Sequence, residues 1–210
     1  KNFVFSSTAA VYGNTNLPTI PEDAPKVPVN AYGATKLMFE GVLEWYATVY
    51  GWSVTAFRYF NASGAAEGFG ERHEPETHII PLLLETALEK RKSFQMYGDD
   101  YPTPDGTCLR DYVHVLDIAD AHILARQHFG KPGMRAYNIG TGKANSVREV
   151  ANTVERVTGK KLNLEVAPRR EGDPAVLCAD PAKLKVELGW APSNSSLENI
   201  VQTAWDFAKG

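Results

Sequence analysis

Tyr32 and Lys36 stand four residues apart in Ala31-Tyr32-Gly33-Ala34-Thr35-Lys36. On a helix that spacing puts both side chains on one face, with Cβ atoms about 5–6 Å apart. An ammonium beside a phenol favours phenolate, which turns an inert hydroxyl into a usable general base. Taken alone, the spacing is more simply explained by an amphipathic helix on which a tyrosine and a lysine happen to meet. Its company favours chemistry. Ser6-Ser7-Thr8 follows the strand-like run Asn2–Phe5, and hydroxyls at the carboxyl end of a parallel strand lie where open α/β sheets place their ligands. A serine-rich turn is the plainer alternative there. Hydroxyls after one strand, followed by Tyr and Lys on the next helix, form a proton-transfer trio suited to oxidising a carbinol carbon.

Such a trio needs strands and helices to hold it, and the chain alternates them in the manner of an α/β fold with parallel strands. Asn2–Phe5 and Val54–Phe60 read as buried strands. Between them Ala31–Tyr50 reads as a helix of about five turns, closed by Gly51. Further helices are predicted over Ile79–Arg91 and Leu116–Phe129, with His122 and His128 taken as surface or packing residues, and a short strand over Tyr137–Ile139. Ser146-Val147-Arg148-Glu149 and Ser195-Ser196-Leu197-Glu198 both read as capping boxes, the first with a closing Gly159. Asp180-Pro181 opens a short helix with Pro at its first position, ended by Gly189. Three segments rich in Pro, Gly, Asn and Asp, Ala10–Asn30, Asn61–Thr77 and Asp99–Arg110, read as long loops of the kind that carry function.

Charge and composition narrow the field. Lys plus Arg number 22 against 25 Asp plus Glu over 210 residues, a net charge of −3. That balance supplies no general attraction to nucleic acid or to an anionic membrane. Apolar runs such as Ile79–Leu84 are short and interrupted by Pro81, so no membrane span is expected. Cys108 and Cys178 make no metal-ligand spacing; no metal is expected, and a reduced, cytoplasmic setting is.

Longer blocks carry a resemblance. Phe5-Ser6-Ser7-Thr8-Ala9-Ala10-Val11-Tyr12-Gly13, Tyr32-Gly33-Ala34-Thr35-Lys36 and Arg58-Tyr59-Phe60-Asn61 resemble the extended short-chain dehydrogenase/reductase family. The run Tyr97-Gly98-Asp99-Asp100-Tyr101-Pro102-Thr103-Pro104-Asp105-Gly106-Thr107, then Arg110-Asp111-Tyr112, Tyr137-Asn138-Ile139-Gly140 and Arg169-Arg170-Glu171-Gly172-Asp173, are similar to its UDP-glucose 4-epimerase branch. The resemblance covers essentially the whole chain. It implies part of a Rossmann-like parallel sheet, with a smaller mixed α/β lobe for a UDP-sugar. Residues 1–62 would belong to the NAD-binding domain and 63–210 mainly to the substrate lobe, with about 110–140 returning to the first.

The resemblance also assigns roles. Tyr32 is the base that takes the proton of the sugar 4-hydroxyl, Thr8 bonds that hydroxyl, and Lys36 holds the nicotinamide ribose of NAD, with Ser6 and Tyr59 as further cofactor contacts. Relatives mostly carry Ser where this chain has Thr8; the hydroxyl survives, and the added methyl restricts its rotamer. Arg110 and Arg170 match positions that hold the diphosphate, for which a guanidinium offers bidentate geometry. Asn61 and His78 match further UDP contacts, Tyr97 the aromatic beside uracil, and Asp173 a carboxylate on the uridine ribose. Leu177 lies where the branch varies its sugar selectivity, and its intermediate size implies acceptance of N-acetylated sugars as well. A homodimer is the implied assembly.

One signature is missing. Dinucleotide sites run a strand into a glycine-rich turn at a helix N-terminus, and here Gly140 and Gly142 make only G-x-G, better read as the turn before the Ser146 helix. Relatives carry the fingerprint upstream of the strand that opens this chain, so about 100 residues or more of a two-half Rossmann domain are expected to lie outside it. The chain alone is then not competent to hold NAD. A non-catalytic UDP-sugar binding module, or another nucleotide-sugar epimerase or dehydratase, are the alternative readings. Thr8-Ala9-Ala10 lacks the acidic pair of a dehydratase. No cation for a uronate carboxylate can be picked out.

Overall fold

The computed structural model describes residues 1–210. Strand β1 (Asn2–Thr8) leads through a single 3-10 turn (Ala9–Val11) and a long loop to helix α1 (Ala31–Tyr50), and strand β2 (Ser53–Tyr59) follows. Short strand β3 (Asn61–Ser63) precedes a second loop and helix α2 (Ile79–Ala87). Then come β4 (Phe94–Tyr97), β5 (Leu109–His114), α3 (Val115–Leu124), β6 (Gly133–Ile139) and β7 (Ala144–Ser146). The chain ends with α4 (Val147–Thr158), β8 (Leu164–Ala167), β9 (Val176–Leu177), α5 (Ala182–Leu188) and α6 (Leu197–Lys209).

Strands β1, β2 and β6 form one parallel sheet in the order β1-β2-β6. The register pairs Thr8 with Tyr59 and Tyr59 with Ile139, so all three strands end together. β2 is buried along nearly its whole length, as expected of a parallel strand covered on both faces. α1 packs Leu43 and Ala47 against Val54, Phe3 and Phe5, while Ile118, Ala121 and Ala125 of the α3 segment pack with Phe57, Tyr137 and Ile139. A second sheet joins β3, β5 and β7, with β9 also on β5, and β4 pairs with β8. The largest apolar cluster lies among α2, α4 and α6, around Leu83, Val154 and Ile200.

The helix ends show why these boundaries fall where they do. Asn30 caps α1 by accepting from the Gly33 amide, and Gly51 closes it in the left-handed conformation, matching the sequence reading to the residue. Ser146 and Glu149 form their reciprocal capping box. The box expected at Ser195 does not form. Ser196 is the cap, bonding the Asn199 amide, because the Ser195 hydroxyl is taken by Asp117. Pro181 sits one position earlier than expected, as the cap of α5. α2 stops at Ala87 instead of Arg91, with Glu89 at φ 61. α3 gives way to a 3-10 turn at Ala125, and β1 runs on through Ser6-Ser7-Thr8.

Candidate active site

The carboxyl end of the β1-β2-β6 sheet carries the first group of candidates. Thr8 is the last residue of β1, and its Oγ1 accepts from the Ala10 amide at 3.1 Å, capping the 3-10 turn. One lone pair is committed and the hydroxyl proton stays free to donate. Tyr32 lies in the first turn of α1 and is 57% exposed, so its phenol opens to an incoming ligand. The Lys36 ammonium donates to the Ser6 carbonyl at 2.9 Å and sits 5.7 Å from the Tyr32 ring centroid. The lysine therefore ties α1 to β1 while holding its charge over the phenol face. Gly33 makes this approach possible, because a Cβ there would collide with the Ala10 carbonyl.

Ser6 and Tyr59 form one hydrogen-bonded chain. His122 donates from Nδ1 to the Ile118 carbonyl at 2.8 Å, which leaves Nε2 to accept from the Tyr59 hydroxyl at 2.8 Å. The Tyr59 oxygen then accepts from Ser6 Oγ at 2.7 Å. These directions follow from the donor and acceptor inventory. Burial pushes the Tyr59 phenol above its ordinary range, more strongly than the Ser6 bond lowers it. His122 is thus a packing residue with a defined partner, which its place in a helical run did not reveal.

Beneath this layer lies a polar network that the sequence reading missed. Glu40, two turns after Tyr32 on the same face of α1, is 4% exposed and Arg58 is 3% exposed. Arg58 reaches Glu40 through Nε at 3.0 Å and Nη2 at 2.6 Å, in a bidentate pair. Its Nη1 donates to Tyr12 Oη at 2.8 Å and to the Glu22 carbonyl at 2.9 Å. Ser7 Oγ donates to Glu40 Oε1 at 2.5 Å, and the Tyr12 hydroxyl donates to Asn138 Oδ1 at 2.7 Å. Burial disfavours the Arg58 charge, but the Glu40 and Tyr12 contacts outweigh it and hold the guanidinium firmly protonated. The signal in the sequence was the i, i+4, i+8 row Tyr32, Lys36, Glu40.

The second group gathers around β5. Arg110 and Leu177 are paired in the β5–β9 register. Arg110 donates to the Leu109 and Pro174 carbonyls at 2.9 Å and meets Asp173 at 3.6 Å. Asn61 donates to the Asp111 carbonyl at 2.9 Å. Asp111, fully buried, accepts from the amides of Thr141, Gly142 and Ala179, so one unassigned carboxylate fixes the 140–142 turn and the approach of β9. Tyr97 and Arg170 form a separate pair, with the guanidinium 3.9 Å over the ring. His78, at the start of α2, contacts Glu76 at 2.8 Å. Leu37 of α1 and Leu177 pack against one common apolar cluster, which joins the dyad helix to the β9 strand.

A parallel sheet with Tyr-x-x-x-Lys on the helix beside its carboxyl edge defines an α/β protein with the short-chain dehydrogenase/reductase type of fold. Residues 1–140 match the model of the NAD dependent epimerase/dehydratase family, and the chain belongs to that family. It is 49% identical over 206 residues to a UDP-glucose 4-epimerase of Corynebacterium glutamicum, covering 98% of this chain and 63% of that one. A crystal structure of a UDP-glucose 4-epimerase superposes with a TM-score of 0.95 at 45% identity, over 100% of this chain and 64% of the other. The epimerase of Bifidobacterium longum, solved with NAD+ and UDP, superposes at 0.92 with 36% identity, over 100% and 64%. The chain spans about 63% of the length of the curated relatives it matches.

Proposed function

We propose that this chain carries the acid–base dyad and the sugar-nucleotide site of an NAD-dependent 4-epimerase that interconverts UDP-glucose and UDP-galactose through a transient 4-keto sugar. The observation that carries the reading is the docking of the first turns of α1 on the end of β1: Lys36 bonds the Ser6 carbonyl and lies 5.7 Å from the Tyr32 ring centroid, and Gly33 abuts the Ala10 carbonyl just after Thr8. Kinship with proteins of that activity supports it. In this division of labour residues 1–62 hold the dyad on the dinucleotide side. Residues 63–210 mainly form the sugar-nucleotide lobe, and about 110–140 return to the first part.

The donor set fits the nicotinamide half of a dinucleotide. Lys36 presents an ammonium, and Ser6 and Tyr59 present hydroxyls, all at the carboxyl end of the parallel strands. Bound there, NAD supplies a hydride acceptor and donor for the sugar C4, while the protein supplies position and electrostatics. Tyr32 takes the proton of the 4-hydroxyl and later returns it. Thr8 donates its free proton to the sugar oxygen and fixes its distance from Tyr32. Lys36 holds the ribose hydroxyls and keeps positive charge beside the phenolate. On the substrate side Arg110 and Arg170 neutralise the diphosphate, assisted by Asn61 and His78. Tyr97 takes the uracil, Asp173 the ribose, and Leu177 bounds the sugar pocket.

Two further features fit the same reading. Met38, Val42, Trp45 and Val49 leave an exposed apolar stripe along α1, which a second copy covers in a homodimer. Cys108 and Cys178 are both free and buried, as suits a cytoplasmic protein. No helix is long and apolar enough to cross a membrane. The test is conversion of UDP-glucose to UDP-galactose, followed by anion-exchange chromatography, by this chain completed with a glycine-rich dinucleotide-binding half and loaded with NAD. Calorimetric binding of UDP by that completed protein, without any binding of NAD+ and without turnover, would instead favour a non-catalytic binding module.

A further inference from the structure

We propose that Glu71-Arg72-His73-Glu74-Pro75-Glu76-Thr77-His78 builds a binding site for a divalent transition-metal ion of the zinc type, with His73, Glu76 and His78 as ligands. One potential ligand atom from each of the three lies within 4.8 Å of the others. Zinc bonds of about 2.0–2.2 Å put neighbouring tetrahedral ligands about 3.3–3.5 Å apart. The cluster therefore closes by no more than about 1.5 Å, by turning side chains and without remaking the backbone.

Three observations mark the cluster as built. First, the Glu76 side chain is only 10% exposed. Its Oε1 accepts from the Thr77 amide at 2.6 Å, the His78 amide at 2.7 Å and His78 Nδ1 at 2.8 Å, so the carboxylate is fixed and aimed at the imidazole. Second, the His73 and His78 rings already face each other edge-on with centroids 5.4 Å apart, and Glu71 stands 4.0 Å from His78 Nδ1 as a further oxygen donor. Third, the loop is pinned at both ends. Gly70 packs against the Phe207 ring and Arg72 lies over it at 5.3 Å on one side, while α2 begins directly after His78 on the other.

The ion takes the place of the hydrogen between His78 Nδ1 and Glu76, and the ring proton moves to Nε2. Two imidazoles and a carboxylate suit zinc, copper or nickel and are poor ligands for magnesium or calcium, which prefer all-oxygen shells. Water completes the coordination sphere. The expectation of no metal rested on cysteine spacing and passed over this His-x-x-Glu-x-His run. His78 is the one ligand shared with the proposed sugar-nucleotide site: Nδ1 takes the ion, and Nε2–H stays free for the phosphate.

The test is calorimetric titration of the chelator-stripped protein with zinc chloride and, separately, magnesium chloride. One equivalent of zinc is expected to bind with Kd below about 100 µM, while magnesium binds at least a hundredfold more weakly. His73→Ala and Glu76→Gln are each expected to weaken zinc at least tenfold, with His122→Gln unchanged. Should a variant fold poorly, zinc titration of the unaltered protein by NMR decides: the ring signals of His73 and His78 shift together at one equivalent, and that of His122 does not. No saturation by 1 mM zinc, undiminished affinity in the His73→Ala/His78→Ala double variant, or shifts that spare these two rings would overturn the site.

Discussion

Glu40 is the residue whose removal should disturb this molecule most for its size. Glu40→Ala leaves Arg58 charged and 3% exposed, stripped of its bidentate acceptor and left with only the Tyr12 hydroxyl and the Glu22 carbonyl. Ser7 loses its acceptor as well. Breaking one side of a buried ion pair costs about 3–5 kcal/mol, chiefly because the other charge stays uncompensated. For a chain of this length a urea slope of about 2–3 kcal/mol/M converts that into a midpoint lowered by about 1–2.5 M. Replacing both partners, as Glu40→Leu with Arg58→Met, removes the stranded charge and should recover much of the loss. The assay is urea unfolding followed by far-UV circular dichroism, arranged as a double-mutant cycle with a coupling energy above about 2 kcal/mol expected. The exposed pair Arg156–Glu198 is the control, and Glu198→Ala should cost under about 1 kcal/mol. A Glu40→Ala cost no larger than that control would refute the claim that the buried pair clamps α1 to β1 and β2.

Other consequences follow from the same geometry. Gly33→Ala drives a methyl into the Ala10 carbonyl and close to Pro28 Cβ; it should cost about 1–3 kcal/mol and lower kcat in the NAD-loaded protein, and unchanged urea midpoints would count against the close approach. His114 is buried with Nδ1 accepting from the Leu116 amide, and burial holds its pKa below the ordinary 6.5 against the pull of Asp117. A depressed imidazole contributes stability that is present above about pH 6.5 and lost as pH falls below it. Unfolding free energy should therefore drop between pH 7.5 and 5.5, and drop less in His114→Gln; equal drops would refute the assignment. Leu177→Tyr narrows the sugar pocket, so turnover of UDP-N-acetylglucosamine should fall at least tenfold relative to UDP-glucose in competition assays, and an unchanged ratio would remove Leu177 from that wall.

Long-period features were legible in the sequence. α1 was readable to its last residue because an apolar stripe continues to a left-handed glycine, and the Ser146 box was readable because its two partners are three residues apart. The Tyr32/Lys36 row was readable for the same local reason, its members being four residues apart, whereas the Lys36 bond to the Ser6 carbonyl spans 30 residues and rests on the fold. Strands β3, β4, β5, β7, β8 and β9 went unread. Each is two to six residues long, and β5 takes its partners from three distant segments. Glu40, Arg58, Asp111 and Asp117 look in sequence like solvated charges, yet each is buried and meets partners far along the chain. Only the fold brings those partners together, and the same is true of the Ser195 hydroxyl that Asp117 removes from its expected cap.

Tyr32→Phe removes one oxygen and leaves the helix, Lys36 and the ring position in place. With UDP-glucose as substrate, in the chain completed with a dinucleotide-binding half and loaded with NAD, kcat should fall at least a hundredfold, the scale of a general base, while KM changes by less than about threefold because the phenol adds little to ground-state binding. Turnover by Tyr32→Phe at the rate of the unaltered protein would contradict the assignment of Tyr32 as the base, and with it the account of this site.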